Sequence, residues 1–275
     1  MNKQFYLGFS FLVVIILTAL PVMAQSSASK NVSTFTIEAP QLDTIKKIWV
    51  YLPESYGLKT KKYPVLYLQD AQNLFDASTS YVGEWKVDEI LDSLKLDLIV
   101  IGIEHGNEKR IDELTPYSHP DYKGGNADAY LDFIINTLKP KVDSLYHIST
   151  NADNTFIGGS SLGGLFSYYA TLKYPDVFGK AIVFSPSFWY SEEIFYFTES
   201  LELKSLSKNE FYFRAGEKES ETMVPLIFKM KELLSSKLSS DEQINMDFIP
   251  DGEHNEKLWS KSFADAAIWL LDLDK

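Results

Sequence analysis

Phe156-Ile157-Gly158-Gly159-Ser160-Ser161-Leu162-Gly163-Gly164-Leu165 decides the fold of this chain. A short apolar run meets a Gly-x-Ser-x-Gly turn, and a helix-period apolar segment follows over residues 162–172. A strand that turns this sharply into a helix needs glycines around the serine, because side chains there would collide with the crossing backbone. The turn lifts the serine hydroxyl clear of the sheet, and the helix N-terminus aims its amide dipoles at the same point. Ser161 is the expected nucleophile, since Ser160 occupies the x position of the motif.

Outward from this turn the chain alternates. Runs of β-branched or aromatic residues at 34–37, 47–52, 65–68, 98–103, 155–157, 181–184, 210–214 and 245–249 read as strands. Helix-period segments occupy 127–145, 162–172, 223–238 and 256–271. In the first of these, Tyr130, Phe133, Ile134, Leu138, Val142 and Leu145 recur at the spacing of one helical face. Such alternation gives a mainly parallel sheet with helices on both faces. The first strands lack intervening helices, so that edge is expected to be antiparallel. With 275 residues, 45% of them hydrophobic, and no linker long enough to divide the chain, one α/β domain over 33–275 is expected. Its sheet should have about eight strands, and chemistry belongs at their C-terminal ends.

Composition narrows that chemistry. The net charge of −12 opposes binding of phosphate backbones, so no nucleic-acid partner is expected. The absence of cysteine excludes a thiol nucleophile, a thiolate metal site and a disulfide framework. No His-Glu-x-x-His or similar spacing is present, so neither a metal nor another cofactor is expected. Lys3, the apolar run 5–20, Pro21 and Val22-Met23-Ala24 form the pattern of a secretory signal peptide over 1–24, cleaved after Ala24. The run is shorter than the ~20 residues that a spanning helix needs, so no lasting membrane anchor is expected. The mature protein is then periplasmic or extracellular, and the Ser-rich lead-in 25–32 is expected to be flexible and outside the fold.

A serine nucleophile needs a base, and the chain has four histidines. His105, His119 and His147 precede Ser161, whereas this type of elbow uses the order serine, acid, histidine. His254, in the turn between the last strand and the last helix, is the candidate. The acid should lie in the loop after the preceding strand, where Glu217 and Glu219 compete and Glu221 already belongs to a helix start. An unsupported Ser–His pair is the remaining option. For the oxyanion, the Leu162 amide is the first donor and the Gln72 amide, in the loop after the strand 65–68, the favoured second.

Together these segments resemble the Putative esterase family of α/β-hydrolases, which includes enterochelin (catecholate siderophore) esterases, feruloyl esterases and mycolyltransferase-like enzymes. Gln69-Asp70-Ala71-Gln72-Asn73-Leu74-Phe75 resembles its D-G-x-N-L-F loop, with Ala71 in place of the usual glycine. Trp85, the Arg110-to-Pro116 segment, the Gly158-to-Leu165 elbow and Tyr174-to-Gly179 match further motifs. So do Ser185-Pro186-Ser187-Phe188-Trp189 and His254 with Trp259. The resemblance implies a single-domain α/β-hydrolase fold and, through Gly216-x-x-Glu219, favours Glu219 as the acid. It also implies an ester substrate, either a catecholate siderophore or a feruloyl or acetyl ester on polysaccharide. Arg110 is a candidate for holding an anionic or phenolic substrate edge, against a salt bridge to Asp112 or Glu113. Trp189, with Phe188 and Tyr190, is a candidate wall for an aryl or sugar ring. An acyltransferase using the same three residues and a non-catalytic binding module are the rival readings.

Overall fold

The computed structural model describes residues 26–58 and 61–273, so the expected signal peptide lies outside the described residues. Eight strands form one sheet: β1 (Val32–Ala39), β2 (Thr44–Tyr51), β3 (Val65–Gln69), β4 (Ile99–Ile103), β5 (Thr155–Ser160), β6 (Lys180–Phe184), β7 (Glu210–Gly216) and β8 (Ile244–Ile249). Their order is β1-β2-β4-β3-β5-β6-β7-β8. β1 pairs antiparallel with β2 and β2 antiparallel with β4, while every pairing from β4 to β8 is parallel. The central strands β3, β4, β5 and β6 are buried along their whole length, as expected for strands covered on both faces.

The covering helices are α1 (Val87–Leu94), α2 (Arg110–Leu114), α3 (Ala127–Phe133), α4 (Lys139–Leu145), α5 (Leu162–Lys173), α6 (Glu193–Ser200), α7 (Met223–Ser235) and α8 (Glu256–Leu270). One face of the sheet packs on Tyr130, Phe133, Phe166, Tyr168, Ile227 and Met230. The other packs on Leu91, Leu258, Phe263 and Trp269, from α1 and α8. The chain is therefore a single α/β-hydrolase domain with helices on both faces of a mostly parallel sheet.

The structure differs from the sequence reading in three places. The segment read as one helix over 127–145 is continuous but widens to a π-helical turn at Ile134–Leu138. Pro140 explains the widening, because it has no N–H to give and its ring would crowd the carbonyl of Asn136 one turn earlier. The short helices α1, α2 and α6 were not anticipated. The lead-in does not stand clear of the fold. From Ser26 onward it lies along a row of carboxylates, with Ser26 Oγ and Ser27 N–H donating to Asp76, Ser27 Oγ to Glu84, Ser29 N–H to Asp88 and Asn31 Nδ2 to Asp92.

Because the chain runs from β3 outward to β4 and then returns to β5 on the other side, the order reverses between β3 and β5. The C-terminal ends of those two strands carry Gln72 and Ser161. A crevice opens at such a reversal point.

Candidate active site

Ser161 follows β5 at φ 58° and ψ −121°, a left-handed conformation that strains a non-glycine residue. Its backbone is clamped: the amide donates to Phe184 O, and the carbonyl accepts from Leu165 and Ser187. Gly159 and Gly164 make the turn possible. A Cβ at Gly159 would lie 2.8 Å from the Gly163 carbonyl carbon, and one at Gly164 would lie 2.7 Å from Phe184 O.

The Ser161 hydroxyl meets His254 Nε2 at 3.0 Å, and His254 Nδ1 meets Glu219 Oε2 at 2.7 Å. The imidazole is held in a tautomer that donates from Nδ1 to the carboxylate and accepts at Nε2 from the serine. The Glu219 side chain is 1% exposed, whereas that of His254 is 36% exposed and faces the opening. Glu217, the competing acid, is exposed, and its amide is tied to Ile249 O. The three elements that supply these side chains are the β5–α5 turn, the loop after β7 and the turn before α8. The other oxygen of Glu219 is also fixed, since Oε1 accepts from Ser185 Oγ at 2.7 Å and from Gly216 N–H at 2.5 Å.

Leu162 is the first residue of α5, so its amide has no partner within the helix. Gln72 sits in the 3-10 turn Ala71–Asn73, entered through Asp70 at φ 58°. This turn lies against the start of α5, where a Cβ on Gly163 would be 3.1 Å from Gln69 Cβ and 3.4 Å from Asp70 Oδ2. Ala71, which replaces the family's glycine, fits because its neighbour on β4 is Gly102. A Cβ there would lie 2.8 Å from the Ala71 methyl.

These groups have the chemistry of an acyl-transfer centre: a strained hydroxyl, a base in contact with it, and an acid in contact with the base. The chain matches the family model described as "Putative esterase" over residues 39–270. It belongs to that family. Curated relatives include the uncharacterized protein YbbA of Bacillus subtilis, 27% identical over 82% of this chain and 92% of YbbA. The ferri-bacillibactin esterase BesA of Bacillus subtilis is 30% identical over 47% of this chain and 50% of BesA. The endo-1,4-beta-xylanase/feruloyl esterase of Xylanibacter ruminicola is 25% identical over 60% of this chain and 23% of its own length. Among solved structures, the enterobactin esterase FES of Shigella flexneri superposes with a TM-score of 0.73 at 20% identity, covering 92% of this chain and 62% of that one. That likeness establishes the fold.

Within this Putative esterase scaffold, Arg110 does not pair with Asp112 or Glu113. Its Nε and Nη2 donate to Asp70 Oδ1 and Oδ2 at 2.7 and 2.8 Å, a bidentate pair. Burial works against the Arg110 charge, but Asp70 outweighs it and raises the guanidinium pKa above its ordinary value. Glu113 is instead engaged with buried Lys46 at 2.6 Å. The guanidinium thus braces the loop that carries Gln72. Trp189 is 49% exposed and stands beside the Tyr122 and His119 rings, with centroids at 6.0 and 6.3 Å. Tyr190 closes the cluster at 5.2 Å from His119. Trp189 and Tyr190 follow Ser187 by two and three residues, and the Ser187 N–H donates to Ser161 O, which ties this aromatic rim through the chain to the nucleophile. His119 and Tyr122 were not anticipated, because they join the rim through the fold of the 115–125 loop.

Among the described residues, one group of carboxylates has metal-like spacing: Glu84, Asp88 and Glu89, with oxygens within 4.8 Å of one another. It shares no residue with the Ser161 site.

Proposed function

We propose that this Putative esterase family member is an exported serine esterase. The observation that carries the proposal is the unbroken contact from Ser161 through His254 to Glu219. Ser161 Oγ attacks the ester carbonyl while His254 Nε2 takes its proton. The carbonyl oxygen becomes an oxyanion facing the Leu162 and Gln72 amides. Imidazolium then protonates the leaving alcohol, leaving an acyl group on Ser161. Water, deprotonated by the same imidazole, releases the acid and restores the serine. Glu219 orients the ring and balances its charge in both half-reactions.

The substrate class is an ester that carries a phenolic ring, as in a catecholate siderophore or a feruloyl group on polysaccharide. The names of BesA and of the Xylanibacter ruminicola feruloyl esterase support this class. The rim of Trp189, Tyr122, His119 and Tyr190 supplies ring faces and edges to receive it. Export rests on the signal-peptide pattern of residues 1–24.

A fluorophosphonate probe is expected to add once to the mature protein, on Ser161, with mass spectrometry as the readout. Ser161→Ala and His254→Ala should each lose the adduct and lower kcat on short p-nitrophenyl esters by about 10⁴-fold or more. Turnover retained in folded Ser161→Ala would overturn the mechanism. Transfer of the acyl group to an added sugar in preference to water would convert the reading to an acyltransferase. Export is checked by N-terminal sequencing of the secreted protein, which should begin at Gln25.

A further inference from the structure

Ser185, the first residue after β6, is in an unusual state. It is fully buried, and its φ is 42°, left-handed in a residue that is neither glycine nor asparagine. Its amide donates to Arg214 O on β7, which locks the backbone in place. Strain of this kind persists where the surrounding structure enforces it, and such places concentrate at functional sites.

The hydroxyl of Ser185 has two partners. Trp259 Nε1 donates to it at 2.8 Å, and it donates to Glu219 Oε1 at 2.7 Å. The direction of these bonds is forced. An indole N–H only donates and a carboxylate only accepts, so the single hydroxyl proton of Ser185 must point at Glu219. Trp259 also sets its ring edge-on against the His254 imidazole, with centroids 5.0 Å apart and planes at 89°. One side chain thus fixes the acid through Ser185 and contacts the base directly.

We infer that Ser185 and Trp259 are positioning residues for the Glu219–His254 pair. Trp259 orients the Ser185 hydroxyl, and Ser185 with Gly216 N–H holds Glu219 Oε1, so that Oε2 remains in line with His254 Nδ1. The inference rests on the serine-esterase reading above and goes beyond it, since neither residue is the nucleophile, the base, the acid or an oxyanion donor. Ser161, buried Glu219 and half-exposed His254 then depend on a support that reaches from the end of β6 to the second turn of α8.

The test is a set of variants assayed on p-nitrophenyl acetate. Ser185→Ala removes one hydroxyl and keeps the Cβ, so it should fold. Trp259→Phe keeps a ring beside His254 and removes the donor. Each should lower kcat by about 10- to 100-fold while KM changes by less than about twofold, the size seen when outer partners of an active group are lost. The double variant should be no slower than the slower single one. In a Glu219→Ala background neither change should cost anything more, because the residue through which they act is gone. In a ¹H–¹⁵N spectrum, the indole resonance that Trp259→Phe deletes should move upfield in Ser185→Ala.

Undiminished kcat in folded Ser185→Ala overturns the inference. So does a loss that persists in the Glu219→Ala background, which would mark a merely structural effect. Ser161→Ala and His254→Ala are run in the same series. If those two remain active, the esterase reading itself fails; if they are inactive while Ser185→Ala is not, only the positioning role fails.

Discussion

Gly216 and Gly252 touch, and that contact sets the distance between acid and base. A Cβ on Gly216 would fall 2.1 Å from Gly252 O and 2.2 Å from its carbonyl carbon. Both atoms are backbone, so no side chain can move aside. Gly216 also donates its amide to Glu219, and Gly252 lies two residues before His254. Gly216→Ala should therefore push the His254 turn away from β7. We expect a loss of about 1–3 kcal/mol in stability, typical of overpacking, and a fall in kcat of at least about 10-fold. Thermal melts and ester turnover on the same preparation check both. At this scale the sequence marked Ser161 and His254 through motif and chain order, since two residues 93 apart had to meet at one strand edge. Chain order alone could not separate Glu219 from Glu217, and only the Gly216-x-x-Glu219 resemblance favoured Glu219. Both are carboxylates in one short turn, and what separates them is which one turns inward toward Ser185 and the Gly216 amide. Ser185 was visible only as a motif letter, because its role depends on the register of β6 against β7.

Between residue and molecule, the strands were the more legible elements. Each of the eight stood out as a β-branched or aromatic run, and the structure moves their ends by a few residues, lengthening most and trimming Leu98 and Leu52. The overlooked helices α1, α2 and α6 have eight, five and eight residues, too few turns for a period to emerge. Among them, α1 carries an electrostatic conflict. Burial, and then the neighbouring Asp88 carboxylate, push the Glu89 pKa from its ordinary 4.5 up to about 7. An acid whose pKa is raised on folding binds its proton more tightly in the native state. Stability contributed by this group is full below about pH 4.5 and declines as pH rises toward 7, where the folded carboxyl finally ionises. Glu89→Gln removes the ionisation. In a chelator-containing buffer, the variant should match the parent at pH 4.5 and exceed it at pH 8. Solvent screening reduces the gain to about 1 kcal/mol, or a rise of about 2–4 °C in melting temperature. Identical pH profiles of melting for the two proteins would reject this account of α1.

For the molecule as a whole, the topology explains why two loops so distant in sequence form one site. The strand order reverses between β3 and β5, the position where open α/β sheets form a crevice, and Gln72 and Ser161 follow the C-terminal ends of those two strands. That much follows from alternation of strands and helices. The course of the N-terminal lead-in does not, since a Ser-rich polar segment gives no period to read. Its backbone and hydroxyls satisfy acidic groups that the rest of the fold leaves crowded in a chain of net charge −12. Asp88 is fully buried and receives the Ser29 amide at Oδ2. Asp76 is the second anchor. Burial alone would raise its pKa, but hydrogen bonds from Ser26, Ser78 and Ser27 outweigh it and hold the value at about 2. A chain beginning at Asn31 in place of Ser26 should lose the Ser26, Ser27 and Ser29 donors while Ser78 remains on Asp76. Leaving Asp88 without its amide partner costs about 1–3 kcal/mol, which lowers the melting temperature by about 3–10 °C at pH 7. The part due to Asp76 has a defined pH dependence. A carboxyl held below its ordinary 3.8 stabilises the fold fully above that pH and ceases to do so as pH falls through about 2. The gap between the two chains should thus narrow as pH is lowered from about 4 toward 2. Melting curves of the pair across that range measure it, and a gap that stays constant there would mean that the strap stabilises the fold through contacts other than Asp76.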